Sequence, residues 1–327
     1  MSPEMNRRTF LKGSLAASAA GALGAYAAGQ GAALGAEGAA KAPPAAKAAL
    51  PLGKIGKLQV SRLLLGGNLL THYTHSRDLR YVYTLTAHYN TPAKIMETMA
   101  LAEAHGINTL VVHTVPAILK TLQEYREKKG GKIQWIICPT ANFTDDMKEY
   151  SRQVQELADM GCDAIYVWGV RSDGLTGANV SKIAKAVEIA KDHALPSGVG
   201  AHDLRVVEDC EKAKVPADFY IKTFHHHSYG SAPRPDQLGG PTGECPGYWC
   251  KDPKQTIEVM KTVTKPWIAF KVMAAGAIPP ANAFQYVLSN GADHVLAGMF
   301  DFEIAEDAAI ARKILAATTT RERPWCS

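Results

Sequence analysis

Short apolar runs alternate with stretches of helical period along this chain, and the pair recurs eight times. The runs lie at 61–66, 109–113, 134–139, 164–168, 197–202, 219–222, 267–272 and 294–299. Between them apolar residues repeat at spacings near 3.6, as at Ile95, Met99 and Ala102 or at Val154, Leu157 and Ala158. Gly106, Gly161 and Asn290-Gly291 stop helices just ahead of strands, and Thr91-Pro92 and Asp252-Pro253 start them with a capping residue before a proline. Eight strand–helix units that close on themselves predict an α/β fold, a single (β/α)8 TIM barrel over 51–327. A doubly wound open sheet is the rival, but no Gly-x-Gly-x-x-Gly follows the first run. Two connections exceed what closure needs, 71–90 after the first strand and 224–252 after the sixth, and connections of that length are functional or disordered. Phe224, Tyr229, Tyr248 and Trp249 mark the second as ordered, because aromatic rings pack.

The N-terminus carries a different message. Asn6-Arg-Arg-Thr-Phe-Leu-Lys12 precedes a weakly apolar Ala/Gly run to about Ala36, and it resembles the twin-arginine export signal of bacteria. Arg7, Arg8, Phe10, Leu11 and Lys12 match that pattern position by position, with Ala25-Tyr-Ala27 and Leu34-Gly-Ala36 as cleavage points. The resemblance implies a signal peptide over 1–36, a periplasmic or otherwise exported location, and the twin-arginine machinery as partner. Residues 37–50, rich in Ala, Lys and Pro, read as a flexible spacer. No later segment is long and apolar enough to span a bilayer. The net charge of +5 is too small and dispersed for a nucleic-acid partner, and no basic stripe is interleaved with aromatics. In an exported chain Cys245 and Cys250 are the best candidates for a disulfide, while Cys138 and Cys162, in or beside strands, read as buried thiols. One Cys-x4-Cys pair without a second does not complete a zinc site.

Leu52-Gly-Lys-Ile-Gly-Lys-Leu-Gln-Val-Ser-Arg-Leu-Leu-Leu-Gly-Gly67 resembles the opening of the aldo-keto reductases, where a β-hairpin leads into the first barrel strand. Residues 102–114 match the second unit of that family in the same way. The resemblance implies a barrel and, with it, a nicotinamide cofactor as one alternative. The reductase chemistry does not carry over: the catalytic Asp falls near Val111, the Tyr near Pro116, the Lys at Cys138 or Pro139, and the His at Trp168. Without that proton donor, hydride transfer to a carbonyl is incomplete. Farther on, the segments beginning at Lys271 and Gly291 resemble the phosphate-binding end of many barrels, with Gly276 and Gly298 in the turns.

The C-terminal ends of barrel strands face the active site. Here those ends carry Asn68, His113, Thr140, Arg171, His202, Lys222, His225 or His226, Lys271 and Asp301. For any one of them a strand-capping hydrogen bond is the plain alternative; as a polar, mostly cationic set they point to a site. Lys222 and Lys271 end two neighbouring strands, and two ammonium groups in one dry cavity would depress each other's pKa. Either then serves as a base, polarises a carbonyl or forms a Schiff base, as sixth-strand lysines do in some aldolases. Lys222, Lys271, His202 and His113 are the expected catalytic residues. His75, Arg77 and Asp78, in the first long loop, are expected to close over the substrate, with Trp249 as an apolar platform. No cofactor is favoured; a divalent metal held by His113, His202 and His225 is the alternative. The expectation is acid/base chemistry, of lyase, hydratase, isomerase or hydrolase type, on a small polar, sugar-derived carbonyl compound. A reductase with an altered proton donor, a metal-dependent hydrolase and a non-catalytic binding barrel are its rivals.

Overall fold

The computed structural model describes residues 49–327, so the expected signal peptide and almost all of the expected spacer lie outside the described residues. The spacer's last residue does not fit that expectation. Leu50 is 2% exposed and packs beside Gly106, as an apolar side chain with a core to enter should.

Strands β1 (Leu52–Ile55) and β2 (Leu58–Ser61) form an antiparallel hairpin, turned at Gly56 with φ +55°. Eight parallel strands then close a barrel: β3 (Leu63–Gly66), β4 (Thr109–His113), β5 (Gln134–Cys138), β6 (Ala164–Val167), β7 (Ser197–Ala201), β8 (Phe219–Thr223), β9 (Trp267–Phe270) and β10 (His294–Ala297), with β10 pairing β3. The two-residue period sorts their side chains. Leu64, Val111, Ile136, Ile221, Ile268 and Leu296 fill the interior, where the hairpin's Ile55, Leu58 and Val60 join them. Residues one step along, such as Leu65, Val112, Val199, Tyr220 and Trp267, form the layer under the helices.

Those helices are α1 (Arg80–Tyr89), α2 (Pro92–Ala104), α3 (Pro116–Lys129), α4 (Lys148–Asp159), α5 (Gly169–Ser172), α6 (Val180–Asp192), α7 (Leu204–Lys212), α8 (Pro253–Thr262), α9 (Pro280–Ser289) and α10 (Ile304–Ala317). Thr91 and Asp252 cap α2 and α8 ahead of a proline, as the sequence predicts. The connection at 71–90 is not a bare loop, because α1 occupies its second half. The connection at 224–252 holds only a 3-10 turn at Pro235–Gln237 and a bridge between Gly243 and Tyr248. Strand β9 stops at Phe270, short of the predicted 272, because Lys271 takes a left-handed φ of +55°.

Past α10 the chain returns beneath the start of the strands. Asp293, with no exposed surface, accepts from Arg323 Nη1 at 2.7 Å and from the backbone N–H groups of Trp267 at 2.9 Å and Cys326 at 2.8 Å; Arg321 Nη2 lies 3.5 Å away. All six cysteines are free thiols, so the expected Cys245–Cys250 bond is not formed: Cys245 is exposed, whereas Cys250 is buried beside Thr256. Among the described residues no helix is long and apolar enough to cross a membrane.

Candidate active site

Where β9 ends, Lys271, Ala274 and Ala275 all adopt positive φ. Such a run costs roughly 1–2 kcal/mol per non-glycine residue and persists where surrounding contacts impose it. The turn sets the Lys271 amine in the barrel mouth, 2.6 Å from His75 Nε2 and 5.0 Å from the ring centroids of both Trp249 and Phe270. Asn68 Nδ2 lies 2.7 Å from the same His75 nitrogen, while Nδ1 meets the Glu244 carboxylate. A carboxylate on one side and nitrogen donors on the other suit a neutral imidazole that donates from Nδ1 and accepts at Nε2. Burial lowers the His75 pKa to about 4 against the opposing pull of Glu244, which keeps the ring neutral. Burial also lowers Lys271 to about 7, with Glu244 and Asp173 opposing the shift. Among the described residues no carboxylate touches the Lys271 amine directly; Glu244 reaches it through the imidazole.

A second acid/base group stands nearby. His202 Nδ1 lies 2.7 Å from Asp173 Oδ2, and Asp173 Oδ1 accepts from the backbone N–H groups of His202 at 2.8 Å and Asp203 at 3.0 Å. Asp173 therefore fixes both the backbone and the ring, leaving Nε2 without a protein partner among the described residues. Gly169 makes room for that ring, since a Cβ there would lie 3.2 Å from His202 Cε1. The His202 and Phe270 rings are 6.5 Å apart, but His202 lines a second cavity and not the one at the Lys271 corner. A cavity of about 370 Å³ opens from that corner, with Gly67, Asn68, His75, Trp249, Lys271 and Asp307 in its wall.

Asn68, His75, Trp249, Lys271, Gly276 and Gly298, all singled out in the sequence, line one cavity. Lys222 does not join them. Ile221 points into the barrel, so Lys222, next on β8, points out through the wall, in register with Ala201 and Ala269 of the helix-facing layer. Its amine bonds Thr223 O at 2.8 Å and Thr223 Oγ1 at 3.1 Å, and faces a separate cavity of about 1050 Å³ with His202, Asp203, Thr256 and Tyr286. The two lysines therefore do not share a site.

Other expected residues turn out to fasten loops. His225 donates to His226 O and accepts from the backbone N–H groups of Trp249 and Cys250, and burial lowers its pKa to about 3. His226 bonds Asn282 Oδ1 and His227 bonds Cys250 O, so the histidine run ties β8's exit to the long loop and α9. His113 is half-buried, its pKa lowered by burial, and lies outside both cavities. The alternative metal set His113, His202 and His225 does not converge: both ring nitrogens of His225 are spent on loop hydrogen bonds, and among the described residues no His/Cys/Asp/Glu cluster fits a metal. Arg77 reaches Gly247 O rather than the cavity, and Asp78 is exposed. Arg171 bonds Asn142 Oδ1 at 2.9 Å, and Asp301 is taken by Lys94 and Tyr89. The phosphate-end resemblance fails on charge: Glu303 Oε2 already accepts from the Phe300 N–H, and Asp307 lies in the same wall.

Sequence reasoning missed Asp173, Glu244 and Asp307. Glu303 and Asp307 had a readable signal, an i, i+4 acidic pair opening the last helix. Asp173 and Glu244 sit in aperiodic segments and carry none.

The architecture defines a (β/α)8 barrel, and solved structures agree. An aldo-keto reductase from Bacillus halodurans, in its holo form, superimposes with a TM-score of 0.53 at 9% identity, over 83% of this chain and 97% of that one. Phospho-2-dehydro-3-deoxyheptonate aldolase from Thermotoga maritima gives a TM-score of 0.50 at 11% identity, over 84% of this chain and 75% of that one. At such identities the likeness is one of fold. No curated protein matches the sequence. The twin-arginine translocation pathway signal sequence family matches residues 4–24, so the chain carries the mark of export by that route.

Proposed function

We propose that the protein is an exported barrel enzyme that moves protons on a small polar, sugar-derived carbonyl compound. The observation that carries this reading is the Lys271 amine, held at about pH 7 by burial and without a carboxylate in contact. At neutral pH about half of such amines are free bases, the condition a general base needs. In the proposed step the neutral amine takes the proton from the carbon beside the carbonyl, and the C–H electron pair moves into an enolate. The enolate oxygen receives a hydrogen bond from the Asn68 amide, which lines the same cavity and has a second N–H beside the one turned to His75. Return of the proton from Lys271 to the same carbon gives exchange; return to the neighbouring carbon, once the hydroxyl proton on the first carbon has passed to the enolate oxygen, gives isomerisation. Trp249, a few ångströms from the amine, offers an apolar face to a sugar ring. Where the resemblance would set the reductase tetrad stand Val111, Pro116, Cys138 or Pro139, and Trp168, which supports proton transfer over hydride transfer.

The test uses dihydroxyacetone, glyceraldehyde and glucose in D2O, followed by proton NMR. The expected result is enzyme-dependent loss of the C–H signal beside the carbonyl, reduced by roughly 10²–10⁴ in Lys271→Met. Exchange at the wild-type rate in that variant would sink the proposal.

A further inference from the structure

The mouth cavity has a second polar end that the proton-transfer chemistry leaves unused. Asp307, on α10, is 4% exposed and lines the cavity, yet its carboxylate has no hydrogen-bond or ion-pair partner among the described residues. Buried carboxyl groups are ordinarily paired, because burial without a partner costs several kcal/mol. Glu303 stands one turn earlier on the same helix face and lines the same cavity; its Oε2 accepts from the Phe300 N–H at 2.8 Å, which leaves Oε1 open. The charges acting on Asp307 are Glu303 and Glu306, whereas those acting on Lys271 are Glu244 and Asp173, so amine and carboxyl sit apart in one cavity.

We propose that Asp307 and Glu303 form a recognition subsite for a hydrogen-bond donor on the substrate, an amine or a hydroxyl, and that they exclude phosphate and carboxylate groups. This rests on the reading of the cavity as the substrate site. It narrows the substrate to a carbonyl compound whose remote end donates rather than accepts. Burial and repulsion from Glu303 and Glu306 push the Asp307 carboxyl up to about 7, so near neutrality it both donates and accepts. A hydroxyl can use either form, an ammonium pairs with the ionised one, and a phosphate meets only repulsion from Glu303.

The test is direct binding, measured by calorimetry, of D-glucosamine, D-glucose and D-glucose 6-phosphate to the full exported protein. The expected result is a Kd for the first two at least tenfold below that of the phosphate ester. Asp307→Ala is expected to narrow that preference, and Asp307→Ala combined with Glu303→Gln to erase it. Asp307→Asn, which keeps the shape and a hydrogen bond, should hold glucose and weaken glucosamine about tenfold; its melting curve verifies that it folds. A phosphate ester that binds as tightly as glucose overturns the proposal, as does a preference unchanged in these variants or the failure of all three probes to bind. Lys271→Met separates the two readings. It should lose C–H exchange and keep the order of the three affinities; a variant that exchanges normally and keeps that order would overturn the proton-transfer role and leave the subsite standing.

Discussion

At the end of the barrel where the strands begin, Asp293 is buried among Arg321, Arg323 and two backbone donors, with Trp325 stacked on Arg321 and Arg62. At the end where they finish, Lys271 is pressed against two aromatic rings and an imidazole with no opposite charge in contact. Both ends take charge out of water, which is costly unless the charge is answered. The lower end answers every charge and serves the fold. The upper end leaves its amine with the bill unsettled, and an amine so placed is the one whose proton is easily moved. Buried charge alone is therefore no sign of a site; buried charge without its counterion is.

The comparison breaks most visibly if the two ends respond alike to losing their charge. Asp293→Ala strands two buried guanidinium groups, and we expect a loss of about 3–5 kcal/mol in urea unfolding. Lys271→Met removes a charge that the fold already disfavours, so at neutral pH it should cost less than about 1 kcal/mol or stabilise. The pH dependence has a definite sign. Lys271 titrates near 7 when folded and near 10.5 when unfolded, so between those values the unfolded chain binds the extra proton. Wild-type stability should accordingly rise with pH across that window relative to Lys271→Met, and the penalty should be complete below it. Parallel urea curves at pH 6 and pH 9 check this; a wild type that loses stability relative to the variant as pH rises would refute the neutral amine.

A smaller change tests the second group at the upper end. Asp173→Asn keeps acceptors for the two backbone N–H groups but weakens the hold on the His202 ring. We expect about 1–3 kcal/mol of lost stability, with C–H exchange unchanged, because His202 lines the other cavity. A tenfold or larger fall in exchange would show that His202 takes part in the chemistry at Lys271.

How much of this was readable before folding differs between the ends in the same way. The barrel follows from periodicity, and β4 begins and ends where the sequence predicts. Lys271 was legible as a cation after an apolar run, although the left-handed turn that aims it into the mouth was not. Lys222 was misjudged because the alternation Phe219, Tyr220, Ile221, Lys222 carries its own answer: with Phe219 and Ile221 inside, Lys222 must lie outside. The lower cluster was hidden because Arg321 and Arg323 sit in a polar tail that looks solvent-exposed until Asp293 gathers them. Glu244 comes from the middle of a long loop, and only the folded chain brings it to His75.

Glu244 provides the finest adjustment to the contrast, since it is the nearest thing to a counterion that Lys271 has. Its charge raises the Lys271 pKa through the intervening imidazole while burial lowers it. Glu244→Gln should therefore move the amine further down, by about half to one pH unit for a charge one ring away in a partly dry site. The amine can be read without a substrate: trinitrobenzenesulfonate modification of the Lys271 peptide, followed by mass spectrometry across pH, titrates the free base. Wild type should show a midpoint near 7, and the variant a lower one. The amide can still accept from His75 Nδ1, so the loop stays pinned while the charge is gone. A midpoint that rises would mean that loosening the loop had let water reach the amine, and that solvent exclusion rather than charge balance sets its pKa.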